Sequence, residues 1–332
     1  MKAICVTENR NLELRNVPNP PTPPSGYLNV SIVAAAINQG DKTFLKIPAS
    51  KVSSGTRLEN VWGASAAGTV TQVGANVPST YLGRKVAIYR GLKPNDPVLG
   101  LWCETAQVPY ETCLPLPDHV DAKDYSGSLV NVVTAYAFLE QATAEGHRGI
   151  IVTAGSSATG RALTVLARRR GIPIIVIVRS QEAKEEVLKS GMEVERVLSS
   201  SHPDFIRDLQ QMAPELGTTA VFDGVGGALI SKMLGALPPQ SSISFYGSLS
   251  GAEKVEFPSS IVIMKDLTMK RFSNFNSATV KERLRDMLKD LEGCIEDSMF
   301  RTSLGKDFHL EEIVDAMKYE DGSKKAVLVF SK

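Results

Sequence analysis

The chain has 332 residues, of which 37 are basic and 36 acidic, giving a formal net charge of +1. This length predicts roughly two domains, and the near-balance of charge excludes long-range attraction to nucleic acid or to an anionic membrane. The N-terminus lacks the pattern of a signal peptide, and no apolar run approaches the roughly 18 residues that span a bilayer. The four cysteines show no paired spacing, so we expect a cytoplasmic protein with reduced thiols. From the charge balance and the lack of a long apolar run we expect no nucleic-acid or membrane partner.

The first part of the chain, residues 1–120, has the pattern of a β-rich domain. Apolar runs at 28–33, 63–77 and 83–89 are punctuated by Gly and Pro, which is typical of short strands and turns. The Pro-rich segment 20–26 is interpreted as a surface loop between two strands, and a ligand for a proline-binding module is the alternative. These runs predict a compact, mostly antiparallel β domain.

From residue 121 to residue 262, apolar strands alternate with amphipathic helices. The predicted strands are 149–153, 174–178, a weak one near 197, 219–222 and 242–246, and the predicted helices are 121–140, 159–170, 181–190, 204–212 and 229–237. This alternation predicts an α/β domain with a doubly wound parallel sheet covered on both faces. Residues 263–332 break the alternation, with a long helix expected at 279–291, and we expect them to return to the first domain.

A tight turn of small residues follows the first strand of this α/β region and opens directly into a helix. It reads Ala154-Gly155-Ser156-Ser157-Ala158-Thr159-Gly160. Small side chains let the backbone approach a pyrophosphate, and the N–H groups at the helix start attract its negative charge. The strict G-x-G-x-x-G pattern is not met, because Ala154 and Ser157 stand where glycines are expected. An ordinary strand–helix turn is therefore the alternative.

The residue that follows the second strand of the α/β region bears on the choice of cofactor. Arg179 stands 19 positions after Gly160, and no acid stands at 179 or 180. An acid about 20 positions past the glycine turn binds the ribose of NAD, whereas an Arg accommodates the 2′-phosphate of NADP. Lys184, on the next predicted helix, could reach the same phosphate. The sequence therefore favours NADPH, and a solvated Arg at a strand end is the alternative.

Six short segments, taken in order, carry the pattern of a known family. They are Ala34 to Asp41 (A-A-x-N-x-x-D), Gly63 to Gly74 (G-x-x-x-x-G-x-V-x-x-V-G), Asn131 to Tyr136 (N-x-x-T-A-Y), the turn from Thr153 to Gly160, Phe222 to Gly227, and Tyr246 to Gly251. Over nearly its whole length the chain resembles the medium-chain dehydrogenase/reductase superfamily, in the zinc-free branch of quinone oxidoreductases and enoyl-thioester reductases.

The resemblance implies a fold and a set of site residues. It implies a GroES-like, mostly antiparallel β domain over 1–120, a Rossmann domain that binds NADPH over 121–262, and a C-terminal segment, 263–332, that returns to the catalytic domain. Asn38, Thr134 and Tyr246 are the expected catalytic residues. The expected cofactor-binding residues are Asn131, Thr134, Ser156, Ser157, Ala158, Thr159, Gly160, Arg179, Lys184, Gly224, Tyr246, Gly247, Ser248 and Leu249. For Tyr246, simple packing is the alternative.

The chain departs from the zinc-dependent branch of the same superfamily. That branch carries a Cys where this chain has Gln39, and a Gly-His-Glu where it has Gly63-Ala64-Ser65. A catalytic zinc needs three protein ligands drawn from Cys, His and acidic residues, and the four histidines stand outside these segments. We therefore expect no metal.

A second departure concerns the enoyl reductases, whose mitochondrial type places a Tyr acid shortly after the N-x-x-D segment. Residues 42–49 contain no Tyr. The resemblance thus implies reduction of a small quinone or enone by hydride transfer from NADPH. Reduction of an enoyl thioester, and an NADPH-binding sensor or interaction protein with little turnover, are the alternatives. Loops at 42–61 and 253–276 are expected to shape the acceptor pocket. By analogy with the family we expect a homodimer, paired near residues 268–272.

Overall fold

The computed structural model describes most of the chain. The described residues are 1–46, 61–93, 100–251, 254–274 and 277–330. Much of the loop expected at 42–61, and the ends of the one expected at 253–276, therefore lie outside the described residues. No helix in the described ranges combines the length and apolar character that a membrane crossing requires.

The regular elements follow the order that the sequence predicts, with short strands first and an alternation of strands and helices after them. The strands are β1 (Lys2–Val6), β2 (Leu12–Asn16), β3 (Tyr27–Ala36), β4 (Ser65–Val73), β5 (Lys85–Tyr89), β6 (Thr105–Pro109), β7 (Cys113–Pro115), β8 (Gly149–Val152), β9 (Ile174–Val178), β10 (Val197–Ser199), β11 (Thr218–Asp223), β12 (Ser242–Phe245), β13 (Thr268–Arg271), β14 (Leu304–Phe308) and β15 (Lys325–Val329). The helices are α1 (Gln39–Leu45), α2 (Ser128–Ala144), α3 (Ala158–Arg169), α4 (Gln181–Lys189), α5 (Phe205–Glu215), α6 (Gly227–Met233), α7 (Ser259–Lys265), α8 (Ala278–Glu282), α9 (Leu284–Glu292) and α10 (Ile313–Lys318).

The chain divides into two compact units. One consists of Met1–Asn131 together with Arg283–Lys332, and the other of Val132–Glu282. The sequence places these divisions at 120/121 and 262/263. In the structure they fall at 131/132 and 282/283, and β13 stays with the second unit because it pairs with β12.

The first unit is built on a sheet of seven strands. Its order is β14-β15-β3-β4-β5-β7, and β6 also pairs with β3. All of these pairs are antiparallel except β14 with β15, so the predicted antiparallel β domain is confirmed. Its core includes the fully buried side chains of Leu28, Ile88, Leu101 and Trp102.

The last strand of the chain completes this sheet. β15 runs antiparallel to β3, with Val327 opposite Ala36, and the N–H of Ile37 donates to the carbonyl of Ala326 at 3.0 Å. Continued by two residues from Val327 and Ala36, this register brings Lys325 opposite Asn38. Residues 283–332 of the C-terminal segment thus belong to the same unit as the first 131 residues, whereas residues 263–282 belong to the second unit.

The second unit contains a six-stranded parallel sheet in the order β10-β9-β8-β11-β12-β13. Neighbouring strands are parallel throughout, as the alternation of strands and helices predicts. Its central strands bury apolar residues on both faces, as expected for a sheet covered by helices. The predicted doubly wound Rossmann sheet is therefore confirmed.

One predicted element takes a different form. The sequence predicts one helix over 279–291, but the chain forms α8 and α9 with Arg283 between them. Arg283 has φ −127° and ψ 29°, outside the helical region, so the helical hydrogen bonding is interrupted there. This interruption coincides with the point where the chain returns to the first unit.

The second unit should lose much stability when the aromatic ring at the centre of its sheet is removed. Phe222 is fully buried, stacks on Phe138 and Tyr246 at centroid distances of 4.0 and 4.1 Å, and meets Phe272 edge-on. Phe222→Ala should lower the free energy of unfolding by about 3–5 kcal/mol, measured by urea titration. As a control, Leu188→Ala, at a half-exposed position on α4, should cost far less. Equal losses in the two variants would contradict this packing.

Candidate active site

The turn between β8 and α3 is held in a compact form by two glycines that have no room for a side chain. A Cβ on Gly155 would lie 2.1 Å from Cγ1 of Val176 on β9, and a Cβ on Gly160 would lie 2.6 Å from the carbonyl oxygen of Ala154. Ala154 itself adopts φ +51°, a conformation that costs a non-glycine residue energy. The backbone at this turn therefore follows a path that only small residues allow.

The helix α3 begins at this turn. Ser157 caps it, and its Oγ accepts the N–H of Gly160 at 3.1 Å. The positive end of the helix dipole thus lies among the predicted pyrophosphate residues, 156–160, where it favours an anion.

Arg161, in the first turn of α3, was not assigned any function from the sequence. Its Nε is buried and meets no hydrogen-bond partner in the part of the chain that is described, and burial lowers the pKa of its guanidinium. A buried cation is costly unless an anion or acceptor compensates it. The feature of the sequence that could have identified this residue is an Arg directly after Gly160.

A buried acid fixes the loop that follows β11. Asp223 has no exposed surface and accepts the hydroxyl of Thr153 at 2.6 Å and the N–H of Gly226 at 2.8 Å. Thr153 Oγ1 in turn accepts the N–H of Gly224 at 3.0 Å. Burial raises the pKa of Asp223, while these hydrogen bonds oppose that rise. The network joins the ends of β8 and β11, and so places Gly224 near the turn before α3.

Tyr246, one of the expected catalytic residues, packs closely within the second unit. Its ring stacks on Phe222, and a Cβ on Gly224 would lie 2.6 Å from its Cζ. Burial raises the pKa of Tyr246 to about 12, against a smaller opposite effect of Ser157. These contacts favour the packing alternative for Tyr246. They also explain why residue 224 is a glycine.

The loop after β12 carries the remaining residues predicted on this side of the sheet. Gly247 and Ser248 are exposed, and Leu249 is 52% exposed. The N–H of Leu249 donates to the carbonyl of Gly224 at 2.9 Å, which joins the two loops. The structure thus brings Gly224, Gly247, Ser248 and Leu249 together.

The two predicted 2′-phosphate residues lie directly after β9 and on the helix that follows it. Arg179 is exposed directly after β9, and its carbonyl accepts the hydroxyl of Ser200, beyond β10, at 3.4 Å. Lys184, on α4, lines a cavity of about 250 Å³. The other residues that line it, which sequence reasoning missed, are Gln181, Leu198, Ser199, His202, Phe205 and Asp208.

Asn38 lies in a buried polar cluster of the first unit, which we call the Asn38 cluster and define as Asn38, Asp41, Ser65 and Lys325. The Nδ2 of Asn38 donates to Ser65 Oγ at 2.7 Å, and Lys325 Nζ donates to Asn38 Oδ1 at 2.5 Å. Asn38 and Ser65 are 7% and 1% exposed. Both ends of the Asn38 amide are therefore engaged within the cluster.

Asp41 connects the start of α1 to the start of β4. Its two carboxylate oxygens accept the N–H of Asn38 at 2.8 Å and the N–H of Ala64 at 2.9 Å. Burial raises the pKa of Asp41, and the two backbone N–H groups and Arg90 act in the opposite direction. The Asp of the N-x-x-D segment thus anchors backbone, which fixes the position of Asn38.

The two residues predicted from α2 lie on different sides of the division between the units. Asn131 belongs to the first unit, and its Nδ2 donates to the carbonyl of Gly127 at 2.5 Å. Thr134 belongs to the second unit, and its Oγ1 accepts from Asn274 at 2.9 Å. Each is thus held by a partner within its own unit.

Among the described residues, no group of three or more His, Cys, Asp or Glu side chains is arranged to hold a metal ion. At the positions of the zinc ligands of the zinc-dependent branch, Asn38 is followed by Gln39, and Gly63 by Ala64 and Ser65.

Two family models match the chain. Residues 24–118 match the alcohol dehydrogenase GroES-like domain, and residues 158–291 match the zinc-binding dehydrogenase model. The first range falls within the first unit, and most of the second lies in the second unit.

Among curated proteins, the chain is similar to quinone oxidoreductases and enoyl reductases. It is 27% identical to a probable quinone oxidoreductase of Leishmania amazonensis over 70% of this chain and 64% of that protein, so that match leaves over a third of the relative uncovered. It is 27% identical to a mitochondrial enoyl-[acyl-carrier-protein] reductase of Xenopus tropicalis, over 84% and 79% of the two chains. The human quinone oxidoreductase is 22% identical over 95% and 92%.

Solved structures share this fold. A putative NADPH:quinone reductase from Mesorhizobium loti is 23% identical, with a TM-score of 0.75 over 99% of this chain and 98% of that one. The Escherichia coli quinone oxidoreductase in complex with NADPH is 20% identical, with a TM-score of 0.71 over 99% of both chains.

The turn before α3 should be intolerant of even one added methyl group. Gly160→Ala should lower the free energy of unfolding by about 1–3 kcal/mol, because the new Cβ meets backbone oxygen atoms that cannot move away cheaply. Gly235→Ala is the matched control, since a Cβ there meets no atom within 4 Å. Thermal and urea unfolding of both variants check this prediction. A Gly160→Ala protein as stable as the control would show that the turn is not tightly packed.

Proposed function

The chain belongs to the medium-chain dehydrogenase/reductase superfamily, and from that premise we propose that it is an NADPH-dependent oxidoreductase that reduces small quinones or α,β-unsaturated carbonyls without zinc. The observation that carries the proposal is the turn between β8 and α3. Its two glycines have no room for a Cβ, and it ends at the positive end of a helix of 12 residues. Such a turn suits a diphosphate.

The residues around this turn fit a dinucleotide that carries an additional phosphate. The buried Nε of Arg161 has no acceptor among the described residues, and an anion such as the diphosphate would supply one. Arg179 is exposed at the end of β9, and Lys184 lines the cavity beside α4. Both cations suit the 2′-phosphate of NADPH. When bound, NADPH supplies a hydride from its nicotinamide ring.

The contribution of the protein is to orient the substrate and to stabilise negative charge on its oxygen. That oxygen gains charge as the conjugated carbon is reduced, and hydrogen-bond donors or cations must face it. Asn38 and Thr134 remain our candidates at the reacting groups. Tyr246 is the weakest of the three, because its ring is stacked and its hydroxyl enclosed. The proton that the product needs can come from solvent.

Enoyl-thioester reduction is the second candidate function. The turn of small residues and the similarity to the Xenopus tropicalis enoyl reductase favour it. The absence of a Tyr between residues 42 and 49 argues against it. A third candidate, an NADPH-binding protein with little turnover, has no structural feature that favours it.

We also propose that two copies pair through β13. This strand lies at the edge of the parallel sheet, so one side of it can pair with another strand. The preceding helix α7 exposes Ile263 (79%) and Met264 (83%), and large exposed apolar side chains often mark interfaces. The identity of the substrate that accepts the hydride, and the cytoplasmic location of the protein, stay predictions from the sequence.

The proposed activity is tested by mixing the purified protein with NADPH and one of two acceptors, 9,10-phenanthrenequinone or crotonyl-CoA, and following the loss of nicotinamide absorbance. We expect rapid loss with the quinone and slow loss with the thioester. The reverse order would favour the enoyl reductase. Tight NADPH binding with no loss in either mixture would favour the low-turnover alternative, and no binding at all would refute the proposal.

The two arginines should affect cofactor binding in different ways. Arg179→Glu should weaken NADPH binding by about 10- to 100-fold and leave NADH binding nearly unchanged, because only NADPH carries the 2′-phosphate. Arg161→Met should weaken both dinucleotides alike, because both carry the diphosphate. Fluorescence titration with each cofactor measures the four affinities. An unchanged preference in Arg179→Glu would exclude Arg179 as the 2′-phosphate ligand.

A further inference from the structure

The Asn38 cluster contains an ammonium group that the sequence did not assign to the site. Lys325 is the first residue of β15, and the pairing of β15 with β3 brings it opposite Asn38. Its Nζ donates to Asn38 Oδ1 at 2.5 Å and to the carbonyl of Gly127 at 3.3 Å. A residue from the last strand of the chain thus meets one from the first forty residues.

This contact determines which way the Asn38 amide faces. An ammonium group can only donate hydrogen bonds, so the atom of Asn38 that faces Lys325 must be its oxygen. The nitrogen then faces Ser65 Oγ at 2.7 Å, and more weakly the carbonyl of Ala36 at 3.3 Å. The cation and the serine therefore hold the amide from both ends.

The backbone next to the Lys325 ammonium group leaves space for this group. Gly127 has no side chain, and a Cβ there would lie 3.2 Å from Lys325 Nζ and 2.7 Å from the Cβ of Ala36. The N–H of Gly127 is itself fixed by the hydroxyl of Thr302 at 3.0 Å, and Thr302 is buried. The side chain of Lys325 is thus closely enclosed between the backbone just before α2 and Asn38.

We propose that Lys325 is a positioning residue of the active site, which locks the orientation of the Asn38 amide and brings a positive charge close to the substrate oxygen. The proposal rests on the proposed function, in which Asn38 lies at the reacting groups. It goes beyond that function by adding a residue from β15 and by changing what Asn38 does. Asn38 holds the cation in place as much as it donates to substrate.

The proposal follows from the way in which the amide is engaged. The amide nitrogen has two N–H donors, and it donates to Ser65 Oγ and, at longer distances, to the carbonyl of Ala36 and to Asp41 Oδ2. Asn38 would therefore have to give up a hydrogen bond in order to bind the substrate oxygen. The Lys325 ammonium group beside Asn38 stabilises the negative charge that develops on the substrate oxygen, and no hydrogen bond is lost. The same cation also polarises the hydrogen bond from the Asn38 amide to Ser65. Removing one preorganised donor of this kind slows a reaction by about 100- to 1000-fold.

The test compares Lys325→Met, Lys325→Arg and Lys324→Met in the full-length protein. Met has an unbranched side chain one atom shorter than that of Lys and carries no charge, and Arg keeps the charge. Lys324 is the matched control, since it is the neighbouring lysine, is exposed, and lies 3.5 Å from Asp321 at the surface. For each variant we would measure kcat and KM with NADPH and 9,10-phenanthrenequinone, NADPH affinity by fluorescence, and the unfolding temperature.

We expect Lys325→Met to lower kcat by about 100-fold, to change NADPH affinity by less than about 3-fold, and to leave KM for the quinone nearly unchanged. Lys325→Arg should recover most of the lost rate, and Lys324→Met should behave as the unmodified protein. A Lys325→Met protein that folds and turns over at the normal rate would overturn the proposal. A loss of rate that Lys325→Arg does not recover would also overturn it, because the rate would then not depend on the positive charge at this position.

A second measurement does not depend on activity. In protein with isotope-labelled asparagine, the side-chain amide signals of Asn38 are assigned by their loss in Asn38→Asp. These signals should shift in Lys325→Met and stay unchanged in Lys324→Met, because only Lys325 contacts the amide oxygen. If the unmodified protein oxidises no NADPH, the proposed function fails and the amide signals alone decide whether the lock exists. Unshifted signals in Lys325→Met would reject the lock.

Discussion

The antiparallel pairing of β15 with β3 is the constraint on which the arrangement of the first unit depends. Residues 132–282 form a unit of their own, so the chain must leave the first sheet and return to it. The hydrogen bond from the N–H of Ile37 to the carbonyl of Ala326, and the register that places Val327 opposite Ala36, make that return specific. The contact of Lys325 with Asn38 lies two residues further along the same register.

The second unit depends on a steric constraint at the turn before α3. Gly155 packs against Val176 and Gly160 against the carbonyl of Ala154, so α3 starts close to the ends of β8 and β9. The Asp223–Thr153 hydrogen bond then ties β11 to the same place. Three strand ends and one helix start thus converge where we propose that a diphosphate binds. This is the crevice position that open α/β sheets use for ligands.

Buried acids act in both units as anchors for backbone rather than as proton carriers. Asp41 accepts N–H groups from α1 and β4, and Asp223 accepts those of the loop after β11. In each case burial raises the pKa of the carboxyl group while hydrogen bonds to it oppose the rise. Burying their ionised forms costs stability, which N–H donors offset together with Arg90 at Asp41 and the Thr153 hydroxyl at Asp223.

The sequence by itself determined the fold class, the order of strands and helices, and the turn of small residues, because these depend on local periodicity and on residue size. It also identified Asn38, Thr134 and Arg179 as candidates through short motifs. Only the tertiary structure revealed Lys325 and the buried Nε of Arg161, and only it showed that Tyr246 is stacked on Phe222. The interruption at Arg283 was likewise decided by the return of the chain. The physical reason is that a lysine opposite Asn38, 287 positions away, follows from strand register, and no local pattern encodes the register between distant strands.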